Sequence, residues 1–474
     1  MLFNSLQYIL FVVIVVSSFW VLARLRMMRV MLLLFSSWLF YMSWSPIYIG
    51  LIIGSTFWDY LLGMGIHRSQ TQWKRKLLVT LSVVGNLGLL GVFKYFNFFM
   101  EATEDVARVI GGVTIDLPFL DVLLPVGISF YTFQTMSYTI DIYRREMEPT
   151  RNFLHFATFV AFFPQLVAGP IVRARDFLPQ LEKPPRVTRA MVGTGLFFIA
   201  CGLVKKVGFA DYVAVNLVDR VFENPANFTA TEVMVALYGY TVQIYCDFSG
   251  YSDVAIGTGL LMGLQLPDNF DRPYMSTNPA EFWRRWHMTL STWLRDYLYF
   301  PLGGSKKGPI RTYVNLFLTL YLIGIWHGAS WVFVLYGLTH ASAMVLHRFF
   351  HKRSGRSVDS VDKTSVRIFK IALMFHFTVL SRILFRGTSL DNASDVAGQL
   401  FVGTSSLANV GGGVWAAIGI AMLIHWTPKR WSDSVQHLFI HWSPWKQGLA
   451  LAGVAAILLQ VATDEVVPYI YFQF

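Results

Sequence analysis

Charge is what this sequence has least of. Asp, Glu, Lys and Arg make up 14% of its 474 residues, against about a quarter in soluble globular proteins, which excludes an ordinary water-soluble enzyme. Cysteine is nearly absent. Cys201 and Cys246 are too few and too scattered for a disulfide framework or a thiolate metal site, so no metal is expected. Acidic side chains number 28 against 39 basic ones. In so apolar a chain that excess points to basic cytoplasmic loops rather than to nucleic acid, and no nucleic-acid partner is expected. The sequence contains no His-Glu-x-x-His, no Gly-x-Ser-x-Gly, no P-loop and no Cys-x-x-Cys. Zinc proteases, serine hydrolases of the nucleophile-elbow type and ATP-driven pumps therefore lose their support. Long polar linkers, repeats of fixed period and low-complexity tracts are missing too, and one integral membrane domain over residues 1–474 is the expected organisation.

What is present is hydrophobic sequence from end to end: 54% of residues, with a mean hydropathy of +0.48. Runs near the ~20 apolar residues that cross a bilayer lie at Leu6 to Ala23, Met28 to Ser43, Ile47 to Ile66 and Leu77 to Phe99. Others follow at Val122 to Ile140, Leu154 to Ile171, Val192 to Phe209, Glu232 to Leu266, Thr312 to Trp326, Trp331 to Leu346, Ile368 to Leu384, Trp415 to Ile424 and Gly448 to Val461. The expected fold is an all-α polytopic membrane protein of about eleven spanning helices with additional re-entrant or interfacial pieces. The turn with Arg24, Arg26 and Arg29 is basic, Ser43 to Pro46 is uncharged, Arg68 to Lys76 is basic and Glu101 to Asp116 is mostly acidic. Under the positive-inside rule this alternation places the N-terminus outside the cytoplasm, and the basic stretch Phe282 to Arg311 inside it.

Three segments are too polar or too interrupted for lipid: Phe163 to Pro170, Ala280 to Phe300, and Ile323 to Ser330 with Gly324 and Gly328. Irregular or charged backbone at membrane depth is tolerated only where protein or a water-filled cavity surrounds it, so a site is expected among them. Pro279 to Tyr299 reads as an amphipathic helix at the cytoplasmic interface, with Trp283, Trp286 and Leu290 on one side and Arg284 and Arg295 on others. Its bland reading is a Trp/Arg membrane anchor. His287 within it must be hydrogen-bonded or face a cavity. His327, in Trp326-His-Gly328, sits at the apex between two spans whose outer ends are basic. It is either a base for a hydroxyl or a structural histidine satisfied by the backbone. Asp247 and Asp253, in Asp247-Phe-Ser-Gly-Tyr-Ser-Asp253, are costly in an apolar run unless paired. Asp247 or Asp253 either orients a histidine or binds an arginine, or forms a structural ion pair with a residue such as Arg284 or Arg285.

Five stretches taken in order resemble the membrane-bound O-acyltransferase family, and within it the bacterial branch that O-acetylates polysaccharides such as alginate. They are Pro125-Val-Gly-Ile-Ser-Phe-Tyr-Thr-Phe-Gln134, Phe163-Pro-Gln-Leu-Val-Ala-Gly-Pro170, Asp247 to Asp253, Phe282-Trp-Arg-Arg-Trp-His287 through Tyr297, and Trp326-His-Gly328. The motif-bearing core spans residues 122–347. The resemblance implies a ring of tilted helices around a narrow central channel in a bacterial inner membrane, where the charge alternation above makes the N-terminus periplasmic. The family's invariant histidine falls on His327 and its second histidine on His287.

The resemblance further implies acyl transfer from cytoplasmic acetyl-CoA, used as a substrate with no bound cofactor. The acetyl group would pass to a periplasmic partner acetyltransferase within a polysaccharide secretion machinery, or directly to a polymer hydroxyl. The polyanionic donor needs a basic mouth, for which Arg284, Arg285, Arg295, Lys306, Lys307 and Arg311 are available. Trp326 N–H, Ser249 and backbone N–H groups at Gly328 are candidates for holding the reacting carbonyl. The readings held against this are a non-catalytic channel or scaffold for an acetylation machinery, and a lipid or protein acyltransferase of the same family.

Overall fold

The computed structural model describes residues 1–355, 363–462 and 467–470. Among them the chain is helical, with no strand and one isolated bridge, Phe270 to Trp286. It divides into two compact units.

The first unit, residues 5–187 with 261–266, holds α1 (Leu6–Val21), α2 (Arg26–Met42), α3 (Ile49–Arg68), α4 (Gln72–Leu90), α5 (Phe96–Gly111), α6 (Ile128–Arg144), α7 (Phe153–Ala161) and α8 (Ala174–Glu182). Helix α4 runs through one π-helical turn at Gly91–Tyr95 directly into α5. Much of the stretch expected as an outside acidic loop, Glu101 to Asp116, is therefore helix as far as Gly111. Asp59 is buried on α3, and a carboxylate there is expensive unless every oxygen is bonded. Its Oδ1 accepts from Ser82 Oγ at 2.5 Å and its Oδ2 from Asn86 Nδ2 at 2.7 Å, while Thr135 Oγ1 on α6 donates to Asn86. Arg29, expected in a basic surface turn, is buried instead and donates to the carbonyls of Ala23, Leu181 and Lys183.

The irregular segment after α7 is confirmed in position. Residues 162–173 are non-helical yet buried, and Phe163 N donates to Ser37 Oγ at 3.1 Å. Gly127 meets this segment in the left-handed conformation (φ +77°), where an added Cβ would stand 2.7 Å from Leu166 O. Only glycine fits both the φ and the contact, so the stretch from Pro125 packs against the Phe163 to Pro170 stretch.

The second unit, residues 2–4, 188–260 and 267–474, contains α9 (Arg189–Leu203), α10 (Asp219–Glu223), α11 (Ala230–Leu261), α12 (Pro279–Arg285), α13 (Met288–Leu294), α14 (Pro309–His327), α15 (Trp331–Arg353), α16 (Thr364–Arg386), α17 (Leu390–Gln399), α18 (Gly412–Trp426), α19 (Lys429–His441) and α20 (Pro444–Val461). π-Helical stretches at Val204–Asp211 and Ala214–Val218 join α9 to α10 as one long rod. Helices α14 and α15 form a tight hairpin. Gly324 does not break α14, as its position suggested; it lets α14 approach Gly337 of α15 backbone to backbone. The break comes at Gly328 to Ser330.

Among the described residues four helical segments are long and apolar enough to cross a membrane on those two criteria alone: Pro46–Arg68, Gln72–Gly111, Arg189–Glu223 and Thr364–Arg386. Others among the expected spans carry buried polar groups, such as Asp247 on α11 and Asn315 on α14.

Candidate active site

The expected single helix from Pro279 to Tyr299 is three pieces. Asn278 caps α12, its Oδ1 accepting from Glu281 N at 2.9 Å, with Pro279 at the first helical position. The helix ends at Trp286, and His287 adopts the left-handed conformation (φ +44°) before α13 begins. A non-glycine residue in that region is uncommon and costs about 1–3 kcal/mol, so the surrounding structure must impose it. The segment from Asn269 to Asp271 does so. Asp271 N donates to Arg285 O at 2.9 Å and Met288 N to Asn269 O at 2.9 Å, bracketing the turn from both sides. Asn269 Oδ1 also accepts from Thr289 Oγ1 at 2.9 Å.

His287 is consequently enclosed by protein. It is 0% exposed, with its ring 4.7 Å from that of Phe248 on α11 and 5.8 Å from the indole of Trp326 on α14. An imidazole so enclosed is far easier to keep neutral than charged. The next ring after Trp326 is that of His327, 5.1 Å away. His327 is the last residue of α14 and 2% exposed, with Phe385 of α16 at 5.0 Å and Tyr336 of α15 at 6.1 Å. The two histidines named from sequence thus flank one tryptophan, in an enclosed aromatic cluster drawn from α11 to α16. A neutral imidazole in water-poor surroundings can take a proton from an attacking hydroxyl while sparing a thioester from hydrolysis.

The arginines divide. Arg285 is committed, with Nη2 2.9 Å from Glu281 Oε1 and Nη1 3.3 Å from Asp271 Oδ2. Burial alone would raise the Glu281 carboxyl, but hydrogen bonds from Thr277 N and Oγ1, and the Arg285 charge, outweigh it and hold the carboxyl below its usual value. Arg284 is exposed, as are Lys306, Lys307 and Arg311. Arg295 pairs with Asp296 at 2.8 Å. Arg284 is thus an exposed charge with no ion pair among the described residues, and Arg285 a bridged one.

Asp247 is engaged elsewhere. Its Oδ1 lies 2.7 Å from Lys206 Nζ and its Oδ2 accepts from Ile470 N at 3.0 Å. Its ion-pair partner is a lysine rather than Arg284 or Arg285. Asp253 pairs with Lys205 at 2.6 Å. Ser249 is buried on α11 next to Phe248. Among the described residues no three His, Cys, Asp or Glu side chains converge as a metal site requires.

Two residues of this cluster escaped the sequence reading. His340, on α15, is buried with its ring 4.4 Å from that of Tyr336. Arg382, on α16, is 1% exposed with its guanidinium 5.1 Å from the Trp286 ring. The signal for both was available, since an ionisable residue inside an apolar run is a site candidate by default.

Among the described residues the chain is all-α, with apolar helices of membrane-spanning length and two buried histidines at one indole. The chain matches the MBOAT (membrane-bound O-acyltransferase) family over residues 119–386, and belongs to that family. It is 35% identical to the probable alginate O-acetylase AlgI of Pseudomonas putida, covering 94% of both chains. It is 34% identical to a peptidoglycan O-acetyltransferase of Helicobacter pylori over 77% of this chain and 72% of that one. It is 32% identical to a teichoic acid D-alanyltransferase of Bacillus subtilis over 55% and 68% respectively. The chain is an acyltransferase and a membrane protein.

Proposed function

We propose that this protein transfers acetyl groups from cytoplasmic acetyl-CoA towards the hydroxyls of an exported polysaccharide, with His327 as the general base. The observation that carries the reading is the convergence of His287 and His327 on Trp326, enclosed by aromatic side chains. The relatives are named as a probable alginate O-acetylase, a peptidoglycan O-acetyltransferase and a teichoic acid D-alanyltransferase, which supports a polymer acceptor. Arg284, Lys306 and Lys307 are exposed and offer charge to the donor's phosphates, and the acetyl thioester is small enough to reach an enclosed histidine. The acceptor is a polymer hydroxyl or a periplasmic acetyltransferase that relays the group outward to the secretion machinery, and the membrane is the bacterial inner membrane.

The full chain reconstituted in lipid vesicles, given acetyl-CoA and an oligosaccharide acceptor, is expected to release free coenzyme A in an acceptor-dependent way. A scaffold or a passive channel would leave the thioester intact, and that result would overturn the reading. Orientation is checked separately with single cysteines at Lys306 and Asp116 on a chain lacking Cys201 and Cys246. Basic loops are retained on the cytoplasmic side, so Lys306→Cys is expected to label only from the cytoplasm and Asp116→Cys only from the periplasm. Labelling of both from one face would refute the orientation.

A further inference from the structure

Arg382 is a cation buried with no counter-charge. It lies in the fourth apolar segment, Thr364–Arg386, and is 1% exposed. Among the described residues no carboxylate pairs with it; the groups that face it electrostatically are the hydroxyls of Tyr274, Tyr336 and Tyr240. Its guanidinium rests 5.1 Å from the Trp286 ring and 5.6 Å from the Phe385 ring, while Nε and Nη2 are buried and make no hydrogen bond to the protein. Removing a guanidinium from water without an anion is costly. Cation–π contacts and tyrosine hydroxyls compensate only in part, and two N–H vertices remain unused.

Its position links it to both histidines. Trp286 is the residue before His287, Phe385 is in ring contact with His327 at 5.0 Å, and Tyr336 lies beside His327 at 6.1 Å. Both rings under the guanidinium, and Tyr336, thus adjoin one histidine or the other. A fixed, dry cation with free donors at a reacting centre is the arrangement that stabilises charge developing in a transition state, because no solvent has to reorganise around it.

We infer that Arg382 stabilises the oxyanion of the tetrahedral intermediate in acyl transfer, opposite the base His327. This inference rests on the acetyl-transfer reading given above. The acceptor hydroxyl gives its proton to the His327 imidazole as its oxygen bonds to the thioester carbon. The carbonyl π pair moves onto oxygen, where the Arg382 N–H groups receive it. When that pair returns, the carbon–sulfur bond breaks, and the thiolate leaves with the proton held by the imidazolium. Arg382 would be a catalytic residue carried inside an apolar helix.

The test uses the full chain in vesicles and two variants, Arg382→Gln and Arg382→Lys, with acetyl-CoA as donor. Acceptors are a neutral oligosaccharide and a uronate oligosaccharide. Arg382→Gln is expected to lower kcat about 10²–10³-fold, the usual consequence of removing an oxyanion donor, with acetyl-CoA affinity changed less than threefold and the loss equal on both acceptors. Arg382→Lys, which keeps the charge but not the planar fork, is expected to recover part of kcat. The inference fails if Arg382→Gln keeps kcat within threefold, or if donor affinity falls in step with rate. A loss confined to the uronate would assign Arg382 to the acceptor's carboxylate instead. Failure of both variants to fold, judged by thermal midpoint, would assign it to structure and overturn the inference. Absence of transfer by the unsubstituted chain would overturn the acetyl-transfer reading itself.

Discussion

Replacement of His327 by alanine should reduce acetyl transfer by about 10²–10⁴-fold, the usual contribution of a general base, while acetyl-CoA still binds and the chain still inserts. His327 closes α14 where the chain turns back into α15, and the rings of Trp326, Tyr336 and Phe385 fix its imidazole from three sides. A base acts on the transition state rather than on donor binding, so the loss should appear in kcat. His287→Ala is a different experiment. From sequence it belonged on an interfacial helix at the donor's entrance, where its loss would raise KM and be recovered at high acetyl-CoA. The structure puts it behind Trp326, fully enclosed. Its loss should therefore disturb the placement of the indole and lower kcat without recovery by donor. Measuring donor affinity and single-turnover transfer on both purified variants decides between these outcomes. Near-normal transfer by His327→Ala would remove it from the chemistry, and recovery of His287→Ala by excess donor would return His287 to the donor's path.

The difference in how the two histidines could be read has a local cause. His327 follows an apolar run and precedes Gly328, so hydropathy alone brings it to the end of a helix. His287 lies in a sequence without Gly or Pro at the critical point, and local propensity continues one helix through it. The left-handed turn there is imposed by Asn269 and Asp271, which are distant in sequence. Tertiary hydrogen bonds of that kind leave no periodic trace.

Glycine carried the opposite ambiguity. Gly324 looked like a helix breaker and is a point of close packing against Gly337, while Gly127 is the position where a positive φ is required. Buried charge was legible as an anomaly but not as a partnership. Asp59, Asp247 and Arg382 are each conspicuous in apolar runs, yet the identity of Ser82, Lys206 or Tyr274 as partner depends on helix rotation and depth, which hydropathy does not encode. The exposed basic residues from Lys306 to Arg311 were the easiest to place, because charge next to a span has few alternatives to solvent.

The largest stability effect should come from Lys206→Met. Lys206 Nζ sits 2.7 Å from Asp247 Oδ1 on α11 and 2.7 Å from Asp211 Oδ1, and it donates to Pro468 O at 3.1 Å. The Tyr469 ring lies 4.4 Å from the ammonium and stands edge-on to both Tyr251 and Phe3. Asn4 Nδ2 reaches Asp211 Oδ2 at 3.3 Å. One buried ammonium thus joins the rod from α9 to α10, the centre of α11, residues 467–470 and the start of the chain. Breaking a buried pair by removing one partner typically costs about 3–5 kcal/mol, because the charge left behind is uncompensated. Here two carboxylates would be left facing each other, so the upper part of that range is expected. Adding Asp247→Asn to Lys206→Met removes one of those charges while keeping the acceptor for Ile470 N, and should restore at least half of the loss. Thermal midpoints of the three chains in one detergent give the comparison. Additive losses in the double variant would mean that Lys206 and Asp247 stabilise the fold independently, and that Asp247 must be sought in the acetyl-transfer site after all.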